Sequence, residues 1–273
     1  MVPSAAKAHR LVILYGIGGL SDVGRHALQA ALDRKDVTSI HVLTQHPELL
    51  ELSNWECGCP EPHNLTLKDH RYHVVPIQSW TDVDEYQTKI APSFEGATAV
   101  VSCLGNRQPG LFDKTLKKGW VSYDGNKAVL QAMKQHAVKR AVVISSVGIA
   151  EDWPPMEWHW AGKILACMFR TNTRKAFDDL TKMEHLYREL PPDDIDYLLV
   201  RPVGISEDAA PKGKWRIQKE KYKDESLGLN MAKMDVARFM VEEALQPTKH
   251  QTAVTIGEEP DDDESPGDKS KQQ

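Results

Sequence analysis

Short apolar runs alternate with segments of helical periodicity along most of the chain. Six runs are typical of strands and lie at residues 11–15, 39–44, 73–77, 97–103, 141–146 and 196–201. They are rich in β-branched residues and do not alternate strictly with polar residues, which is typical of strands buried on both faces. Residues 22–34 and 121–136 each place small and aliphatic side chains on one helical stripe. The pattern therefore predicts an α/β fold with a doubly wound parallel sheet and right-handed crossovers.

Three segments interrupt this alternation. Residues 52–71 are polar and contain prolines, which indicates a surface insertion, and residues 151–160 concentrate three tryptophans in a proline-containing stretch. Residues 257–273 are acidic and then polar, a composition typical of disorder. Because no internal repeat or clear linker is present, we expect one domain over residues 10–257. A small lid on the substrate side and a disordered tail at 258–273 complete the expected organisation.

The first strand runs directly into the glycine-rich stretch Gly16-Ile17-Gly18-Gly19, and Gly24 and Arg25 follow. Glycines allow a tight turn close to a pyrophosphate, and the next helix offers free N–H groups and the positive end of its dipole. This order predicts a dinucleotide site. Gly24 comes two residues later than the usual fingerprint places its last glycine, so we expect a longer turn or a later helix start. The alternative is a sheet with this topology that binds no ligand.

Composition and charge narrow the class of protein. The 273 residues are 41% hydrophobic and 27% charged, enough apolar content for a large core. The net charge of -5 gives no reason to expect nucleic acid as a partner. Residues 212–223 are basic with interleaved aromatic residues, and we expect them to form a solvated hairpin face rather than a nucleic-acid site. No apolar run approaches the roughly 20 residues of a membrane span, and no secretory signal is evident, so we expect a cytoplasmic protein without a membrane partner.

The four cysteines do not form the pattern of a disulfide framework. Cys57 and Cys59 lie near His63 and His70, and such ligands could hold zinc. However, the surrounding prolines indicate a loop, and a Cys-x-Cys pair lacks the two-residue spacer of a zinc knuckle. We therefore expect reduced thiols and no metal site.

Several segments, in this order, resemble one family. The first is 142–148, which follows a helix ending in residues 136–140; the others are 196–204 and 233–239. Together they resemble the atypical short-chain dehydrogenases/reductases with an NAD(P)H-binding, NmrA-like domain and a Rossmann-like fold. Residues 104–107 and 178–189 are most similar to biliverdin-IXβ/flavin reductases. The resemblance spans residues 10–257.

The resemblance implies a cofactor across the carboxyl edge of the sheet, where α/β ligands bind. The residues it places there are Gly16, Gly18, Gly19, Gly24 and Arg25 at the phosphate turn; Leu104, Gly105 and Arg107 along the adenosine ribose and diphosphate; Ser146 beside the nicotinamide; and Pro202 and Val203 on its far side. Relatives that prefer NADP often have an arginine after the second strand, where this chain has Thr44, Gln45 and His46. The family still favours NADP(H) over NAD(H), with Arg25 and His46 as the residues that support it.

Candidate catalytic residues follow the fifth strand. Ser146 ends that strand and is suited to hydrogen-bond an acceptor, although it could equally bond its own backbone. No tyrosine begins the Tyr-x-x-x-Lys motif of the main dehydrogenase branch after Ser146. His159 and Lys163 have the same spacing, and an imidazole is a competent acid near neutral pH. Glu184 matches a position where biliverdin-IXβ reductase-like chains have a substrate-facing histidine, but beside Arg188 we expect it to be a solvated charge.

These observations predict an NAD(P)H-dependent oxidoreductase that reduces a small planar acceptor such as a flavin, a quinone or a conjugated carbonyl. Trp153, Trp158 and Trp160 could stack on such an acceptor as a lid, or could instead be ordinary core or a protein-contact patch. The alternative is a non-catalytic NmrA-like protein that senses dinucleotide and regulates or assembles with another protein. A scaffold that binds no nucleotide is a third possibility. We expect a monomer or weak homodimer.

Overall fold

The computed structural model describes residues 8–16, 23–50, 69–105, 121–147, 149, 174–206, 209–218 and 231–259. The strands are β1 (His9–Tyr15), β2 (Val37–Thr44), β3 (Tyr72–Pro76), β4 (Ala99–Cys103), β5 (Arg140–Ile144), β6 (Asp196–Pro202), β7 (Ile205–Ser206), β8 (Trp215–Gln218), β9 (Met231–Ala232) and β10 (Thr252–Glu258). The α-helices are α1 (Val23–Leu32), α2 (Val83–Glu85), α3 (Val121–Gln135), α4 (Arg174–Arg188) and α5 (Lys233–Leu245). Further helical turns of π and 3-10 type follow α2 at Tyr86–Ile90 and Ala91–Phe94, and a 3-10 turn follows β2 at Pro47–Leu50.

Eight of these strands form one sheet in the order β3-β2-β1-β4-β5-β6-β10-β8. All neighbouring pairs are parallel except β10 and β8, which are antiparallel. Strands β7 and β9 form a separate short parallel pair. The predicted doubly wound parallel sheet is therefore confirmed. The strand order turns back at β1, which pairs with β2 on one side and with β4 on the other.

Helices cover both faces of the sheet, because its central strands bury apolar side chains on both sides. In β1, Leu11 and Ile13 face one core cluster, to which α1 and α5 also contribute. Val12 and Leu14 face the other cluster, which α3, α4 and the helical turns after α2 complete. The absence of strict alternation in the sequence is thus explained by burial of both faces.

All six predicted strands are present, within one or two residues of their expected bounds. The pattern did not predict β8 or β10, which extend the sheet beyond β6. In the segment expected to form a solvated hairpin face, residues 212–214 are exposed and Trp215–Gln218 forms the edge strand β8. The Trp215 ring packs against Phe239 with 5.8 Å between ring centroids. The expected lid at 151–160 and most of the expected tail lie outside the described residues.

A buried ion-pair cluster lies at the amino edge of the sheet, where β5 and β6 begin. Arg140 is only 5% exposed and donates from Nη1 to Asp196 Oδ2 at 2.9 Å. Its Nε donates to the main-chain oxygen of Glu243 at 3.0 Å, and its Nη2 lies 3.3 Å from Glu243 Oε2. Burial lowers the pKa of Arg140. The cluster joins the end of α5 to two adjacent strands.

Candidate functional site

The carboxyl edge of the sheet brings together residues from four strands. Tyr15 is paired in register with Thr44 on β2 and with Cys103 on β4, so Gly16 and Leu104 follow side by side. On the next strands, Ile144 pairs with Val200 and the Ser145 N–H continues the ladder to the Val200 oxygen at 2.7 Å. Open α/β sheets bind ligands in the crevice at this edge where the strand order reverses, which here lies between β1 and β4.

Gly24 lies within α1 and allows this helix to approach β1 closely. A Cβ atom at position 24 would lie 3.1 Å from the Cβ atom and 3.2 Å from the Cα atom of Tyr15. Close helix–strand packing is one of the roles that glycines have in dinucleotide-binding turns. The late glycine noted in the sequence therefore has a packing role, and its contact with a cofactor stays a prediction. Gly16 is buried at the end of β1, and Arg25 is half-buried on α1.

Several predicted site residues lie outside the described part of the chain: Gly18, Gly19, Arg107, His159, Lys163, Trp153, Trp158 and Trp160. Cys57, Cys59 and His63 also lie outside it. Within the described ranges, no group of three or more histidine, cysteine or acidic residues could hold a metal ion.

The end of β4 is held against α3. A Cβ atom on Gly125 of α3 would lie 2.3 Å from Leu104 Cδ1 and 3.4 Å from the Trp80 ring, so glycine leaves room for both side chains. The Ser122 hydroxyl donates to the Leu104 main-chain oxygen at 3.3 Å. Leu104 and Gly105 are both buried, and their position is thus set by α3 as well as by the strand.

Helix α4 in turn orders the start of α3 through buried polar contacts. The Asp179 carboxylate accepts the N–H groups of Ser122 and Tyr123, both at 2.9 Å, and so caps α3 from a different helix. Burial raises the pKa of Asp179, although the two N–H donors act in the opposite direction. The Tyr187 hydroxyl donates to Asn126 Oδ1 at 2.9 Å, and the Asn126 amide donates to the Ser122 oxygen at 2.8 Å.

The two serines after β5 have different surroundings. Ser145 is fully buried, and its hydroxyl donates to Glu184 Oε1 at 2.5 Å. Ser146, the residue predicted to face the acceptor, is half-buried at the carboxyl edge one position further on. Pro202 follows Arg201 at the end of β6 and is buried, whereas Val203 is half-buried and its N–H donates to Ile256 at 2.8 Å.

The prediction that Glu184 is a solvated charge is wrong. Its side chain is 0% exposed and accepts two hydrogen bonds from Arg201, from Nε to Oε1 at 2.9 Å and from Nη2 to Oε2 at 2.5 Å. Arg188 on the next turn of α4 lies 3.5 Å from Glu184 Oε2. A helix pattern with arginine at i+4 indicates a surface pair, but the main partner comes from β6. The sequence signal for it is Arg201 itself, since a charge within an apolar strand needs a buried partner.

In related folds, the residues that follow the second strand decide the preference between NAD and NADP. Here residues 44–46 include no arginine or lysine. Thr44 is fully buried, and its hydroxyl oxygen accepts the N–H of His46 at 3.0 Å. The Gln45 amide donates to the Gln78 oxygen at 2.8 Å, which joins this turn to the segment after β3.

Two fully buried groups, the Cys103 thiol and the Tyr187 hydroxyl, are unsuited to acid–base chemistry. Cys103 at the end of β4 is fully buried, and burial raises the pKa of its thiol strongly. Burial also raises the pKa of Tyr187. Neither group is an acid of the kind that works near neutral pH.

The fold and this edge define a dinucleotide-binding α/β protein, and comparison with known proteins gives the family. The model of the NAD(P)H-binding family matches residues 67–247, about two thirds of the chain. The chain belongs to this NAD(P)H-binding family, in agreement with the resemblance to atypical, NmrA-like short-chain dehydrogenases/reductases. The match begins after β2, so the glycine turn and α1 lie outside it. No curated protein matches the chain.

Solved structures share the fold at low sequence identity. An oxidoreductase from Lactococcus lactis is 15% identical with a TM-score of 0.57, and covers 92% of this chain and 91% of its own. A short-chain dehydrogenase/reductase from Veillonella parvula, in complex with NADP, is 12% identical with a TM-score of 0.59 and coverages of 92% and 94%. A Rossmann-fold NAD(P)-binding protein from Shigella flexneri is 17% identical with a TM-score of 0.52 and coverages of 93% and 96%.

The described helices include none long and apolar enough to cross a membrane.

Proposed function

We propose that this protein is an NAD(P)H-dependent oxidoreductase that transfers hydride to a small planar acceptor such as a flavin, a quinone or a conjugated carbonyl. The observation that supports it most is the common edge formed by Gly16, Leu104 and Gly105, Ser146, and Pro202, in a chain of the NAD(P)H-binding family. A nicotinamide dinucleotide supplies the hydride when bound, and the protein positions the acceptor and excludes water.

The residues at the edge fit such a cofactor. Gly16 and Gly105 carry no side chain that would keep a diphosphate from their backbone, and the close packing at Gly24 brings the start of α1 near the end of β1. In the proposed arrangement, Ser146 hydrogen-bonds the acceptor and Pro202 and Val203 line the nicotinamide. Solvent or His159, which has Lys163 four residues further along the chain, supplies the proton. The tryptophans of 151–160 close over the ring.

We expect NADP(H) to bind more tightly than NAD(H). The support is Arg25 on α1 and His46 after β2, since a guanidinium and a protonated imidazole are groups that can pair with a 2′-phosphate. The absence of arginine and lysine from residues 44–46 limits the expected preference.

A non-catalytic dinucleotide sensor is the second candidate. The observation in its favour is that no Tyr-x-x-x-Lys motif follows Ser146. Such a protein would bind the cofactor without turnover and would change its affinity for a protein partner when the cofactor binds.

Titration with NADPH and NADH, followed by nicotinamide fluorescence and calorimetry, tests both candidates. Binding followed by cofactor oxidation with any acceptor of a flavin, quinone and enone panel supports the reductase, and Ser146→Ala should then lower kcat more than it weakens cofactor binding. Binding without turnover on the whole panel supports the sensor. No binding of either cofactor overturns both.

A further inference from the structure

A buried cluster of three polar residues lies directly behind the carboxyl edge. Glu184 on α4 accepts the Ser145 hydroxyl at 2.5 Å and two Arg201 nitrogens at 2.9 and 2.5 Å. The Glu184 side chain is 0% exposed and that of Arg201 is 3% exposed. One carboxylate therefore ties the end of β5 to the end of β6, and both to α4.

Stability alone is a weak explanation for this cluster. Removing two charges from water costs several kcal/mol per ion, and buried pairs are often no more stabilising than well-packed apolar residues of the same volume. What the cluster does provide is geometry, since a carboxylate and a guanidinium joined by two hydrogen bonds hold a fixed relative orientation. The Ser145 hydroxyl adds a third fixed point.

The backbone that leaves this cluster enters the proposed site at once. Ser146 is the residue after Ser145, and Pro202 is the residue after Arg201. In a doubly wound sheet the two halves of a dinucleotide bind to the two halves of the fold. The glycine turn after β1 belongs to one half, so the ends of β5 and β6 belong to the half that would hold the nicotinamide.

Resting on the proposed function, we propose that Glu184, together with Arg201 and Ser145, positions the nicotinamide end of the cofactor. Glu184 does not touch the cofactor in this arrangement. It acts through the strand ends, setting where Ser146 and Pro202 lie relative to the nicotinamide ring. A displacement of about 1 Å at a reacting centre can lower a rate about 100-fold. A small shift of the strand ends that this cluster holds would therefore change the rate of hydride transfer.

The test separates the two ends of the cofactor. Affinities of the full-length protein are measured for NADPH and NADH, and for 2′-phospho-ADP-ribose and ADP-ribose, which lack the nicotinamide. In Glu184→Gln we expect the affinity for the dinucleotide to fall about tenfold or more, with a smaller rise in nicotinamide fluorescence on binding. The affinity for the matching nicotinamide-free fragment should stay within about twofold of the wild type.

The matched control is the same Glu-to-Gln substitution in the buried ion pair at the amino end of β5. Glu243 is buried and paired with Arg140 at the amino edge. Glu243→Gln should lower stability, but the ratio of dinucleotide affinity to fragment affinity should not change. Ser145→Ala keeps the ion pair and removes one hydrogen bond, so it should fold and show the same selective loss to a smaller degree. If Glu184→Gln does not fold, the double variant Glu184→Leu with Arg201→Met replaces it, because it leaves no single buried charge.

The outcomes are distinct. A selective loss of dinucleotide affinity in the Glu184 and Ser145 variants, absent from Glu243→Gln, supports the positioning role. An unchanged ratio in the Glu184 and Ser145 variants overturns it, even when the wild type binds cofactor tightly. If the wild type binds neither dinucleotide nor fragment, the proposed function itself fails.

Discussion

The Cα atom of Tyr15 lies so close to α1 that a Cβ atom at position 24 would be only 3.2 Å away. The neighbour is main chain of the central strand β1, which has β2 and β4 on both sides and little freedom to move. The glycine at position 24 therefore sets the distance between the first strand and the first helix.

Gly24→Ala should lower the free energy of unfolding by about 1–3 kcal/mol, because the added methyl group overpacks a rigid contact. The gain of up to about 1 kcal/mol that alanine brings to a helix should not compensate for it. Urea unfolding measures the difference. The exposed Lys127→Ala on α3 is the control and should change stability by less than about 0.5 kcal/mol. A Gly24→Ala protein as stable as the wild type would contradict the packing role.

Gly125 and Leu104 should be energetically coupled. A Cβ atom on Gly125 would lie 2.3 Å from Leu104 Cδ1, so Gly125→Ala must displace a side chain at the end of β4. We expect a loss of about 1–3 kcal/mol from Gly125→Ala and about 2–5 kcal/mol from Leu104→Ala. The double variant should lose less than the sum, because the smaller side chain makes room for the methyl group. A double-mutant cycle by chemical denaturation tests this, and additive losses would show that the two positions do not interact.

Asp179→Ala should destabilise the protein by about 1–3 kcal/mol, because it leaves the N–H groups of Ser122 and Tyr123 without their carboxylate. Asp178→Ala is the matched control on the same helix. Asp178 is half-buried and lies 3.9 Å from Arg174 in a surface pair, so its loss should cost less than about 0.5 kcal/mol. Equal effects of the two substitutions in thermal or chemical unfolding would argue against the cap.

His41 should make the protein less stable in mild acid. Its Nε2 lies 3.1 Å from Arg10 Nη2, and its ring is 5.5 Å from the His73 ring. Burial, then the charges of Arg10 and His73, lower the pKa of His41 below its ordinary value of 6.5. The unfolded chain therefore binds a proton at a higher pH than the folded one, and stability falls as pH falls from about 6.5 until it drops below the folded pKa.

His41→Gln should flatten the stability profile between about pH 7 and about pH 5, since the amide oxygen still accepts from Arg10 and does not titrate. Stability is measured by urea unfolding at each pH in buffers of equal ionic strength. If the variant loses stability over this interval as steeply as the wild type, His41 is not the titrating group.

Much of the sheet is predictable from the chain because its central strands are continuous apolar runs. Residues 141–146 illustrate this, and the structure places β5 at Arg140–Ile144 with the two serines at its carboxyl end. The edge strands are harder to predict. Strand β8 begins with Trp215 in a basic stretch, and the partial burial of its ring comes with the pairing of β8 to β10 and the contact with Phe239, neither of which is local in sequence.

Sequence pattern locates the strand ends that carry the predicted site residues, but it misses the buried contacts behind them. That these residues contact a cofactor or an acceptor stays a prediction. Gly16, Leu104 and Ser146 follow directly from strand ends, which local pattern identifies. The pairing of Glu184 with Arg201 joins a helix to a strand across 17 positions, and local charge spacing instead favours Arg188 as the partner. Asp179 caps a helix more than 50 positions away, which no local capping rule can predict.

Cys103 lies in β4, between β1 and β5, with no exposed surface and a thiol that burial keeps protonated. Alkylating reagents attack the thiolate, so this sulfur can react only when the middle of the sheet opens to solvent. With the other three cysteines replaced by serine, the alkylation rate of Cys103 would report how often that opening occurs. A bound cofactor that bridges β1 and β4 should slow the reaction, so one native thiol can measure ligand binding and sheet opening together.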